Sequence, residues 1–175
     1  MIKYCFIKDD ETGLVQLGAG CSDEYYIEIG MRQRDVEQSE KDYQWYLTEK
    51  CPHFTEEEKL INAKIEKAEE NDCLRDAKLL EGVTYSNVLF DSDTEQKTNL
   101  TAKFLMMGDT DTVVWYGMDN QALLCTKADI LAIGQLIEEL HSFCWENNAY
   151  IKEQIANAET VEEVEAIQIN YNNEN

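Results

Sequence analysis

The chain has 175 residues, 36 acidic against 15 basic side chains and a formal net charge of −21, which argues against DNA, RNA or an anionic membrane as direct partner because those need basic patches. Apolar residues make up 43%, enough for a packed core and against global disorder. No apolar run nears the roughly 20 residues of a membrane helix, and the start, Met1-Ile2-Lys3-Tyr4-Cys5, lacks the apolar stretch of a signal peptide, so folding in a cytosol is expected.

Residues 2–8 read as a strand, and the Asp9-Asp10-Glu11-Thr12-Gly13 cluster as a turn. Leu14 to Leu17 returns as a second strand, giving a hairpin. Ser22 is placed to cap a short helix over 23–27, with Gly30 as its stop. The aromatic run Tyr43-Gln44-Trp45-Tyr46-Leu47 reads as a third strand. These elements make up a small β-rich module over 1–50.

Pro52 marks a boundary. After it, Thr55 and Glu58 have the spacing of a capping box, in which the Thr hydroxyl accepts from the N3 amide and the Glu reaches back. Leu60, Ile61, Ile65 and Ala68 form one apolar stripe of a helix over about 56–70. It can continue through Leu74, Ala77 and Leu80 after a weak point at Asn71-Asp72. Its other face is strongly charged, and residues 51–81 read as a connecting helix.

Gly82 opens a second module, 82–169. Residues 83–90 look strand-like, and Asp91-Ser92-Asp93 supplies a cap for a helix over about 94–107 that Gly108 stops. Residues 112–116 and 121–125 pair as a hairpin around Gly117-Met118-Asp119-Asn120. Thr126 and Asp129 form a second capping box. In the long helix that follows, Ile130, Ile133, Ile137, Leu140, Cys144, Asn147 and Ile151 are spaced 3-4-3-4-3-4, the spacing of a coiled-coil seam. Leu136, Phe143 and Tyr150 repeat every seven residues beside it. A face this wide can pack on its own sheet, on a partner helix, or on both. Thr160 and Glu163 form a third box, opening a short helix to about Ile167. Residues 170–175 read as a frayed polar tail. The fold class is therefore α+β: a small N-terminal β-rich module, a connecting helix, and a C-terminal sheet with a long amphipathic helix.

Catalytic signals are weak. The six cysteines include no C-x-x-C, and Cys5 and Cys125 sit among apolar neighbours, so free buried thiols are expected. Cys51, His53, His141 and Cys144 have zinc-ligand chemistry, but their spacing matches no zinc motif and packing accounts for both pairs. No Cys/His nucleophile pair has a third group to orient it. Asp91-x-Asp93 and Asp109-x-Asp111 lack the further ligands of a calcium loop and read as a cap and a turn. No phosphate loop, serine elbow or HExxH occurs. Neither an enzyme nor a cofactor is expected.

Two stretches carry a resemblance. The first holds Leu17-Gly18-Ala19-Gly20-Cys21, Glu24-Tyr25-Tyr26-x-x-Ile29-Gly30-Met31, Asp35-Val36-Glu37-Gln38 and Trp45-Tyr46-Leu47, followed by Pro52. It resembles the N-terminal segment of small proteins encoded among tail genes of phages and prophages of Gram-positive gut bacteria. The second, over 82–169, holds Phe90-x-Ser92-Asp93-Thr94, Val114-Trp115, Thr126-x-Ala128-Asp129-Ile130-Leu131, Ile155 and Thr160-x-Glu162-Glu163-Val164-Glu165-Ala166-Ile167. It resembles a phage-associated domain family of unknown function, often found at the C-terminus of tail-fibre proteins. The resemblance implies a phage tail context: a virion structural component, or a chaperone for fibre assembly, present in the bacterial host cytoplasm before assembly and, as a component, in the virion tail after it. Partners would then be tail or fibre proteins.

Together these readings predict a non-catalytic protein acting through protein–protein contacts. The expected contact residues are Ile130, Ile133, Leu136, Ile137, Leu140, Phe143, Cys144, Tyr150 and Ile151. Ile at both seam positions shifts coiled coils toward trimers, so self-association as a trimer is expected, or docking on a fibre helix. The alternative from charge is an acidic nucleic-acid mimic that inhibits a basic host defence nuclease, as anti-CRISPR proteins do.

Overall fold

Helices and antiparallel sheets together build the chain, an α+β arrangement, in the computed structural model, which describes residues 1–172. Two compact units divide between Lys59 and Leu60.

The first unit, Met1–Lys59, contains β1 (Ile2–Ile7), β2 (Val15–Leu17), α1 (Asp23–Glu28), β3 (Arg32–Gln38), β4 (Trp45–Leu47) and a single 3-10 turn at Thr48–Lys50. The strands pair antiparallel in the order β2-β1-β3-β4. Cys5 stands opposite both Leu17 and Arg32, and Val36 opposite Leu47. Leu14 bridges Tyr46, and the Leu47 N–H donates to the Gly13 carbonyl at 2.9 Å, so the sheet curls β4 back toward the start of β2. Gly13 makes this approach possible: its φ is +76°, and a Cβ there would lie 2.7 Å from that of Lys50. Cys5, Val15 and Val36 form the buried core, with Leu17, Trp45 and Leu47 around them. The Ser22 hydroxyl caps α1 as expected. Tyr26 of α1 is buried, stacks on Tyr4 at 5.2 Å and accepts from the Cys21 N–H.

Helix α2 (Glu56–Leu80) starts from the reciprocal Thr55–Glu58 box, with bonds of 2.8 and 3.2 Å. It runs unbroken through Asn71-Asp72, where the sequence shows a weak point. From Leu60 onward it belongs to the second unit, and there it hydrogen-bonds to the long helix, so it is part of a packed layer rather than a bare connector. The Lys64 ammonium donates to the Ala156 carbonyl, and the Asn71 amide to the Asn148 carbonyl.

The rest of the second unit comprises β5 (Val83–Tyr85), β6 (Val88–Phe90), α3 (Thr94–Met106), β7 (Thr112–Tyr116), β8 (Ala122–Thr126), α4 (Lys127–Asn157) and α5 (Val161–Ala166). The stretch read as one strand over 83–90 is a hairpin. Ser86 and Asn87, at φ 49° and 63°, turn it as the left-handed pair of a tight two-residue loop. The expected C-terminal sheet is thus two separate two-stranded hairpins, β5-β6 and β7-β8. Helix α3 ends where Met107 turns extended, one residue before the expected glycine stop; the Gly108 N–H then donates to Asp111. The Thr126–Asp129 capping box forms in full at the start of α4. At α5 only half of the third box forms. Thr160 caps Glu163, but the Glu163 carboxylate reaches the Glu159 N–H instead.

The main core joins Val83, Val88, Phe90, Leu100, Met107, Cys125, Ile130, Ile133 and Ile137, drawn from both hairpins, α3 and α4. A second cluster gathers Cys144, Ile151, Ile155 and Tyr171, with Ala68 and Leu79 of α2 against it. Tyr171 is 6% exposed, so the expected frayed tail is packed at that position; residues 173–175 lie outside the described residues. All six cysteines are free thiols; Cys21 and Cys73 are exposed and the other four buried.

Candidate functional site

The face of α4 that the sequence offers for contacts is already covered by the chain itself. Ile130, Ile133, Ile137 and Cys144 are 0–1% exposed, and Ile151 is 2% exposed. Leu136 and Leu140 pack against the main core; Leu140 also joins the second cluster, where Phe143 meets Tyr171 edge to face at 6.5 Å. Of the nine residues only Tyr150 is exposed, at 60%. Two hairpins and three neighbouring segments close the wide stripe, so a trimer seam through it is corrected to an internal core. Each fully buried isoleucine contributes about 1.5–3 kcal/mol there. Asn147, on the same stripe, bonds to the Asn170 carbonyl at 2.7 Å.

Most of the candidate titratable groups of the second unit have structural partners. The His141 Nε2 lies 2.6 Å from the Ser92 carbonyl oxygen. Burial pushes the Cys144 thiol up from its ordinary range. Asp93 caps α3 through the Gln96 N–H. Asp109 pairs with Lys127 at 3.1 Å, and Asp111 accepts from Gly108. In the cleft lined by Asp76, Asp91, Asp93, His141 and Trp145, Asp76, Asp93 and His141 are thus engaged within the fold: Asp76 pairs with Arg75, whose guanidinium lies 4.3 Å over Trp145.

In the first unit Cys51 and His53 meet a residue that sequence reasoning missed, Glu37. One ligand atom from each lies within 4.8 Å of the other two. Cys51 is buried, and desolvation, then the carboxylates of Glu37, Asp42 and Glu40, push its thiol up. Glu37 escaped notice because β3 itself did: Arg-Gln-Arg-Asp-Val-Glu-Gln holds one apolar residue and no alternation.

An apolar surface remains on the β7-β8 hairpin. Val113, Trp115, Leu123 and Cys125 belong to the core or pack against it. The alternate residues form the opposite face. There Val114 and Leu124 are a direct cross-strand pair, followed by Tyr116. They are 46%, 66% and 60% exposed. Among the described residues, each of the two strands pairs only with the other. Such a face is a ready protein contact, and its open edges can accept a further strand. On α3, Leu105 and Met106 are also exposed.

Among the described residues no helix is long and apolar enough to cross a membrane. No curated protein and no solved structure matches the chain. A family described as a domain of unknown function, DUF4376, matches residues 62–169. That stretch is more than half of the chain and falls inside the second unit, and the protein is a member of the DUF4376 family.

Proposed function

We propose that the protein is a non-catalytic component or assembly factor of a bacteriophage tail, acting through protein–protein contacts. It is present in the host cytoplasm before assembly and, where it is a tail component rather than an assembly factor, on the tail or its fibres after it. The observation that carries this reading is the β7-β8 hairpin, whose outer face offers Val114, Tyr116 and Leu124 and whose strands, among the described residues, pair only with each other. The resemblance of 82–169 to a phage-associated domain supplies the context. Self-association through the α4 seam is not part of the reading, because that seam is core.

A second reading is kept for one reason, the net charge of −21. An acidic mimic of nucleic acid would bind a basic host nuclease, and that contact would weaken with salt. The two readings separate in one experiment. A tagged chain is expressed in phage-infected cells, and its partners are captured at low and at high salt. Tail or fibre proteins retained at high salt, and lost from a Leu124→Glu variant, are expected. Recovery of a nuclease that dissociates in salt and still binds Leu124→Glu overturns the tail reading.

A further inference from the structure

At one end of the first unit's sheet, three side chains of metal-binding type converge. Glu37 lies near the end of β3, while Cys51 and His53 follow the 3-10 turn. Their ligand atoms share a space within 4.8 Å, with the His53 Nε2 4.0 Å from a Glu37 carboxylate oxygen.

The local sequence explains the convergence. A proline confines the residue before it to extended backbone, and Cys51, before Pro52, has φ −62° and ψ 124°. In an extended chain residues i and i+2 share a side, so Cys51 and His53 are presented together. The segment is tied down from several directions. The hydroxyl of Ser39, itself buried, donates to the Pro52 carbonyl at 2.9 Å. The Phe54 N–H donates to the Glu40 carboxylate at 2.9 Å, and the Lys41 ammonium lies 5.3 Å over the Phe54 ring. The Cys51 thiol itself points at the Glu37 backbone carbonyl, 3.9 Å away. The backbone that presents Cys51 and His53 is thus held on both sides of His53, at Pro52 and Phe54.

We propose that Glu37, Cys51 and His53 form a Zn²⁺ site with three protein ligands and water in the fourth position. Thiolate, imidazole and carboxylate together suit zinc better than magnesium or calcium, which favour all-oxygen shells. Zinc bonds of about 2.0–2.3 Å need the three atoms somewhat closer than they stand, so binding requires the exposed His53 ring and the half-buried Glu37 carboxylate to move toward Cys51. Glu40 and Asp42 beside Cys51 add negative potential that favours a cation. On binding, the S–H bond breaks, a Zn–S bond forms and the proton passes to water. The ion would pin the segment before α2 to β3. The proposal is independent of the tail reading.

The full-length chain, stripped with a chelator and reduced, is titrated with Co²⁺ and then Zn²⁺. One equivalent of Co²⁺ is expected to give a near-ultraviolet thiolate-to-cobalt band that Zn²⁺ abolishes. Cys51→Ser should remove the band, whereas Cys21→Ser and Cys73→Ser, at the two exposed thiols, should keep it. His53→Gln and Glu37→Gln should weaken Zn²⁺ binding by at least the roughly tenfold loss that follows removal of an outer-shell partner. No band at one equivalent, a band that survives Cys51→Ser, or an affinity unmoved by His53→Gln overturns the proposal. Because His53 is exposed, its variant keeps the test decisive even if Cys51→Ser fails to fold.

Discussion

The Tyr171 hydroxyl donates to the Asn71 side-chain oxygen at 2.7 Å, across 100 positions of chain. Both residues are buried, and the Asn71 amide passes the contact on to the Asn148 carbonyl of α4. Helix α2, helix α4 and the segment after α5 therefore meet at one amide. Its neighbour Asp72 is bonded by Asn148 and Lys152 at 3.0 and 2.9 Å.

Tyr171→Phe removes this hydroxyl and keeps the ring that packs against Phe143. The Asn71 oxygen is then buried without a partner, which costs about 1–3 kcal/mol. Urea unfolding should show that loss. With Asn71→Ala in the same chain, the two effects should overlap by more than about 0.5 kcal/mol, since the residues share one bond. Strict additivity would mean that they act separately.

Ile137 tests where the α4 stripe belongs. It is 0% exposed among the main core residues, so Ile137→Ala should destabilise the monomer by about 2–5 kcal/mol. Tyr150→Ala, on the exposed margin of the same helix, should stay within about 0.5 kcal/mol. Urea unfolding alongside light scattering separates this from an association face. If Ile137→Ala shifted the mass in solution and left unfolding unchanged, the stripe would be an interface.

A pH dependence follows from Asp129. The Thr126 hydroxyl, then the Tyr85 hydroxyl, then the Thr126 N–H hold its carboxyl below the ordinary carboxylate range. A depressed folded-state pKa gives stability that is present above the unfolded value of about 3.9. That stability is lost as pH falls through the lower, folded value. The same bond, followed by burial, raises the Tyr85 pKa. Its contribution is full below the unfolded value of about 10 and is lost as pH rises through the folded one. Urea midpoints measured from about pH 2 to 7 should fall at the acid end, and the fall should be shallower in Asp129→Asn. An identical acid slope in that variant would remove Asp129 as its source.

The helix starts were legible because capping is local. Thr55, Asp93, Thr126 and Thr160 each signal within four residues what the backbone will do. Elements fixed by distant partners were not. Strand β3 lies between β1 and β4, its pairing set by their edges rather than by its own polar sequence. Without β3, Glu37 had no place beside Cys51 and His53. The Ser86-Asn87 turn lies inside an otherwise strand-like run and takes left-handed backbone without a glycine. On α4 the apolar stripe was plain, but its heptad spacing fits a partner helix and the chain's own layers equally well. Only the placement of α2, α3, the two hairpins and Tyr171 decides between them.

The β7-β8 hairpin carries a signal that sequence patterning holds only in part. Val113-Val114-Trp115-Tyr116 is apolar at every position, where a strand with one solvent face would alternate. Its second apolar face therefore has no partner within the core. Thr is as well suited to strands as Val, so Val114→Thr combined with Leu124→Thr should leave the hairpin formed. The register pairs these two residues directly, and Thr–Thr is a favourable cross-strand pair. Thermal unfolding of the double variant should match the parent within about 0.5 kcal/mol, as for exposed sites generally. Binding of a dye that reports exposed apolar surface should fall, and capture of tail or fibre proteins from infected cells should fall with it. A double variant that unfolds would place Val114 and Leu124 in the core and remove the surface on which the functional reading rests.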